Sequence, residues 1–83
     1  MSIETTIRDY ILQNYMFTTD ASKLSNGDSL LKKGIIDSTG ILELIGYLRE
    51  EFGVTVEDVE MIPENLDSVN NLTAFVTRKR QTQ

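Results

Sequence analysis

Residues 34–54 read GIIDSTGILELIGYLREEFGV, and this stretch decides the fold. Counting from Ile41 at about 100° per residue, Leu44, Ile45, Leu48 and Phe52 fall within about 60° of one direction, the stripe of an amphipathic helix. Glu43 and Glu50 fall nearly opposite, and Gly53 supplies a stop just after Phe52. Leu42 and Gly46 share one flank outside the stripe. At the mouth of this helix stands Asp37-Ser38-Thr39-Gly40, which has two readings. The Asp-Ser pair caps the helix, or the Ser38 hydroxyl is presented at the helix start as a point of attachment.

Working outward, Ile3, Ile7, Tyr10 and Ile11 recur at helical spacing behind Ser2, an N-cap residue type, and predict a first helix over 3–16. The segment TTDASKLSNGDSLLKKG, with its Asn-Gly turn signal at 26–27, is a long connection of the kind that carries function in so small a chain. Leu24, Leu30, Leu31, Ile35 and Ile36 are expected to pin it onto the core. Beyond the central helix, Val54–Val56 is a weak strand candidate. EDVEMIPENLDS holds one short helix at most, broken by Pro63. A last helix over 69–78 turns Val69, Leu72, Phe75 and Val76 inward, and Arg78, Lys79 and Arg80 suit its C-terminal dipole end. The pattern predicts an all-α fold: a small bundle of three main helices plus one short helix, with a long loop between the first two, forming a single domain over 1–83.

Composition excludes several functions. Eighty-three residues supply one core that buries roughly 60–65% of the unfolded surface. Neither cysteine nor histidine occurs, which removes thiol chemistry, thiolate metal sites, the usual general base and the Ser-His-Asp triad. The N-terminal segment, with Glu4, Arg8 and Asp9 inside its apolar pattern, is neither a signal peptide nor a membrane span, so a cytoplasmic location is expected. The net charge is −5, and residues 37–67 alone carry nine acids against Arg49, leaving the remainder at +3. A polyanion would be repelled by that acidic stretch, which disfavours nucleic acid and favours basic protein partners.

Two further Asp-Ser pairs test the reading of Asp37-Ser38. Asp67-Ser68 precedes the last helix, where capping accounts for it. Asp28-Ser29 lies in GDSL, similar to a four-residue hydrolase signature, but a serine nucleophile needs a base that this chain lacks. It reads as a turn or a one-turn cap. At Asp37-Ser38 a phosphate on the serine would meet free backbone N–H groups and the positive end of the helix dipole.

The extended pattern resembles the acyl carrier protein family, which includes aminoacyl and peptidyl carriers. The matches are Gly34, Asp37, Ser38, Glu43, Leu44, Glu50, Glu51, Phe52 and Gly53, and the likeness continues into SLLKKGIIDS and NLDSVNNLTAFV. The resemblance implies that Ser38 carries 4′-phosphopantetheine, transferred from coenzyme A by a separate transferase, and that acyl or aminoacyl groups ride on its thiol as thioesters. It implies that Asp37 supports the transfer, in part through the transferase's magnesium ion, and that the chain is a non-catalytic monomer. Thr39, Leu42, Glu43, Gly46 and Glu50 are then candidate contacts for the transferase and for loading enzymes with basic patches. Residues 39–42 depart from the usual fatty-acid pattern, in which an acid follows the serine by two places. That leaves fatty acid, polyketide and other specialised pathways open. The competing reading is an acidic helical adaptor that is never modified and uses the second helix for protein contacts alone.

Overall fold

Residues 2–81 are described by a computed structural model. Its helices are α1 (Ile3–Asn14), α2 (Ser38–Phe52), a single-turn α3 (Pro63–Leu66) and α4 (Val69–Gln81). Single 3-10 turns lie at Ala21–Lys23 and Asp58–Glu60, and no strand occurs among the described residues. Val54 and Val56, the strand candidates, are instead buried residues of an unpaired connection.

The three longer helices each start where an orphan N–H group finds a side-chain acceptor. The Ser2 hydroxyl accepts from the Thr5 N–H at 3.0 Å and opens α1. That helix ends at Asn14, two residues before the sequence reading: the Met16 N–H turns back to the Ile11 carbonyl at 3.2 Å, and Phe17 then takes a left-handed φ of 54°. Ser68 caps α4, accepting from the Asn71 N–H at 3.0 Å. α4 runs on to Gln81, so Arg78, Lys79 and Arg80 lie in its last turn as the dipole argument requires. Pro63 does not break the short helix but opens it, because its fixed φ and missing N–H are harmless at the first helical position.

The core joins Ile7 and Ile11 of α1, Leu44 and Leu48 of α2, and Leu72 and Phe75 of α4, each at most 1% exposed. Burying each such side chain stabilises the fold by about 1.5–3 kcal/mol. Ile41, Ile45 and Phe52, expected in the buried stripe of α2, are half-buried and pack on the core's edge. Leu24, Leu30 and Ile36 pin the long connection inward, and Ile35 is half-buried. Leu31 does not: it is 41% exposed, because its backbone is held at the surface by Asp67.

Asp67 is the latch of that connection. Its Oδ1 accepts from the Leu31 N–H at 2.9 Å, its Oδ2 accepts from the Ser29 hydroxyl, and its main-chain carbonyl accepts from the Leu30 N–H at 2.8 Å. Only Ser68 of the Asp67-Ser68 pair is therefore the N-cap of α4, while Asp67 closes α3. The start of the connection is tied to α1 by Arg8, which donates to the Ala21 carbonyl at 2.7 Å and to Asn26.

A second clasp holds the segment before α3. Lys79 Nζ lies 2.9 Å from Glu60 Oε1, which also accepts from the Glu57 N–H at 2.9 Å. The hydrogen bond from Lys79, reinforced by that from Glu57, holds the Glu60 carboxyl below its ordinary value of 4.5. A carboxyl depressed by folding stabilises the protein fully above the ordinary value and loses that contribution as pH falls through the depressed one. Glu60→Gln should therefore melt below the wild type at pH 7, and the gap should close in acid. A gap that persists unchanged below the depressed value would show that the ion pair is not its source.

Candidate functional site

The Asp37-Ser38 pair divides its labour. Asp37 is extended (φ −96°, ψ −175°), its Oδ1 accepts from the Gly40 N–H at 2.7 Å, and its carbonyl accepts from the Ile41 N–H at 3.0 Å. Asp37 is thus the N-cap, and Ser38 is the first residue of α2. Ser38 is exposed, and among the described residues its hydroxyl has no hydrogen-bond partner, nor do the Ser38 and Thr39 backbone N–H groups. The question left open by the sequence is answered here for the cap: the aspartate does the capping, and the serine hydroxyl is left over.

The other two serines are occupied. Ser29 Oγ donates to Asp67 and accepts from the Lys32 N–H at 3.1 Å, closing the one-turn cap expected of it. Ser68 is buried, at 6% exposure, with its hydroxyl against the Asn71 N–H.

Beside Ser38 opens a cleft of about 230 Å³, lined by Ser38, Leu31, Ile41, Met61, Ile62 and Asp67 among others. The two clasps build this wall. Asp67 fixes Leu31, and Glu60 anchors the turn from which Met61 and Ile62 follow. Outside the cleft, Leu42 is 62% exposed and Val59 83% exposed. Thr39, Glu43, Gly46 and Glu50 are all exposed, and nothing lies within 4 Å of the position a Gly46 side chain would take.

The side of α2 facing α1 is built differently. Tyr15, from just past the end of α1, donates its hydroxyl to Glu43 Oε1 at 3.0 Å and lies 3.2 Å from the Gly40 carbonyl. Its ring meets Tyr10 edge-on with centroids 5.8 Å apart, and Tyr10 stacks on Tyr47 of α2 at 3.8 Å. Burial, together with the hydrogen bond to Glu43, pushes the Tyr15 hydroxyl well above the usual phenol range. Burial raises Tyr47 as well, with the negative charge of Glu51 adding to it.

Sequence reasoning missed three residues of this region. Gly40 has no role in the sequence pattern, yet it is buried where Tyr15 crosses α2. Tyr15 falls inside the first helix predicted over 3–16 without a role of its own, and Asp67 reads as half of a capping pair. A glycine one turn inside a strong helix was the signal available for the first. The other two depend on contacts across 25 to 38 positions, which no local pattern carries.

The chain is 33% identical over 76 residues to the D-alanyl carrier protein of Streptococcus suis (strain 98HAH33), an alignment covering 92% of each chain. No protein-family model matches. A small all-helical fold and this degree of likeness along nearly the whole length define the class, a carrier protein. The chain belongs to the family of phosphopantetheine-binding carrier proteins. Among the described residues no helix is long and apolar enough to cross a membrane.

Proposed function

We propose that Ser38 is the attachment point of 4′-phosphopantetheine and that the group carried is aminoacyl. The observation that carries the first half is the capping of α2 by Asp37, which leaves an exposed serine hydroxyl with no other task. The surroundings fit the group. The unpartnered Ser38 and Thr39 N–H groups and the helix dipole stabilise a phosphate there. The apolar lining of the neighbouring cleft offers a resting surface for an alkyl arm. The arm would supply the thiol that the cysteine-free chain lacks, for holding cargo as a thioester.

The chain's own residues bind, expose and orient. Asp37 uses one carboxylate oxygen on Gly40 and, among the described residues, keeps the second without a donor, available to support transfer from coenzyme A. The aminoacyl half of the proposal is supported by the name of the relative, and by a cleft that is small and open to the surface. Transferase and loading enzymes are the partners, the chain acts as a monomer, and reliance on coenzyme A places it in the cytoplasm. Intact mass of the protein from its native cell tests this reading. A mass increased by the arm, or by the arm plus an alanyl group, supports it. An arm carrying a long acyl chain overturns the aminoacyl half, and an unmodified mass favours the adaptor reading.

Recognition is assigned to the exposed face of α2: Glu43 and Glu50 steer a basic partner, and Thr39, Leu42 and Gly46 offer contact surface toward Ser38. Steering acts mainly through the association rate. Reversing the charge of both Glu43 and Glu50 should slow modification at low salt. The difference should shrink as screening shortens to about 8 Å near 0.15 M ionic strength. Wild-type rates for the double variant at low salt would reduce the acidic face to a solvated surface.

A further inference from the structure

We infer that Tyr15 is a positioning residue for partner docking, holding the Glu43 carboxylate at a fixed place on the exposed face of α2 and bringing the α1 side of the molecule into recognition. The inference rests on the reading of α2 as the docking helix. What carries it is the pairing itself: an exposed carboxylate on the recognition face restrained by a neutral donor rather than by a cation. Glu43 and Glu50 share one face of α2 and both are exposed, yet among the described residues only Glu43 has a holding partner, the Tyr15 hydroxyl at 3.0 Å.

The choice of donor matters. A lysine or arginine partner would restrain Glu43 and also cancel its charge, as Lys79 does for Glu60. A tyrosine hydroxyl restrains it and leaves the negative charge for a cation to meet. The restraint is itself well anchored. The Tyr15 ring is braced edge-on by Tyr10, which is stacked on Tyr47, so α2 is gripped both at Gly40–Glu43 and at Tyr47. Gly40 lets the ring come this close: a Cβ there would stand 3.2 Å from Tyr15 Cε1. A glutamate on an open helix face samples many rotamers, and that freedom is lost when a partner engages it. In this chain much of it is already lost before docking.

The occupant is a protein partner, the transferase that acts at Ser38, presenting a basic side chain to Glu43. The charge pattern selects it, since Glu43, Glu50 and Glu51 stand on α2 against Arg49 alone. The experiment is steady-state modification by a broad-specificity phosphopantetheinyl transferase, with coenzyme A and magnesium at low salt. The substrates are the wild type, Tyr15→Phe, Glu43→Ala and the double variant, with folding followed by thermal melts. Tyr15→Phe should raise KM about threefold to tenfold while kcat stays within about twofold, the signature of a lost pre-ordering. In the Glu43→Ala background the same change should leave KM unmoved, because Tyr15 acts through Glu43. An unchanged KM for Tyr15→Phe overturns the inference. So does an equal rise in both backgrounds, which would mark a packing role. A wild type that accepts no arm overturns the Ser38 reading itself, and this inference with it.

Discussion

Ser38→Ala is expected to accept no phosphopantetheine arm, whereas Ser29→Ala and Ser68→Ala are expected to be modified as fully as the wild type. All three serines follow an aspartate, so the dipeptide does not distinguish them. Their hydroxyls do. A serine that attacks a diphosphate must be reachable and must have a lone pair and a proton not already committed. Ser29 is committed on both counts, to Asp67 and to the Lys32 N–H, and Ser68 is buried beneath the first turn of α4. Of the three, only Ser38 is exposed and, among the described residues, unpartnered. The same facts order the stabilities. Ser68→Ala removes a cap and should cost about 1 kcal/mol. Ser38→Ala removes none and should melt close to the wild type. Intact mass after incubation with transferase, coenzyme A and magnesium reads the first result, and urea melts read the second. A Ser38→Ala protein that still gains the arm ends the assignment.

What the sequence disclosed and what it withheld divide along physical lines. Periodicity in 41–52 and 69–76 placed α2 and α4, because a helix buries one stripe and the stripe is written at fixed spacing. Local capping was half legible. Asp and Ser are both good N-caps, and adjacent in sequence they cannot be told apart. Only the backbone, which puts Asp37 in the extended region and Ser38 in the helix, decides which is which. The walls of the cleft were not legible. Leu31 looks like a core leucine until Asp67, 36 positions away, is seen to hold its N–H at the surface. Pro63 looked like a break because proline opposes a helix interior; at the first position it favours one.

Gly40 and Gly46 give the second large effect, and it has opposite signs at the two positions. Propensity alone treats them alike, each glycine costing about 1 kcal/mol relative to alanine inside a helix. Space separates them. At Gly46 a Cβ would meet nothing within 4 Å, and φ is not in the left-handed region, so Gly46→Ala should stabilise by about 0.5–1 kcal/mol. At Gly40 a Cβ would lie 2.7 Å from Ile36 Cγ2, 3.2 Å from Tyr15 Cε1 and 3.3 Å from the Asp37 Oδ1 that caps the helix. Ile36 is 1% exposed and β-branched, so its methyl group has neither room nor rotamer freedom to withdraw. Overpacking a core site costs about 1–3 kcal/mol, which outweighs the propensity gain. Gly40→Ala should therefore lower the melting temperature by about 5–10 °C, given the shift per kcal/mol expected for a chain of this length. The damage should also reach function. The three groups displaced are the cap that leaves Ser38 unoccupied, the tyrosine that holds Glu43, and the loop residue beneath both. Modification of Gly40→Ala should thus slow even well below its melting temperature, while Gly46→Ala, if it slows at all, should do so only through partner contact. Thermal melts of the two variants side by side decide the matter. A Gly40→Ala protein that melts above the wild type would mean that the start of α2 relaxes freely, and the close approach of Tyr15 would lose its structural meaning.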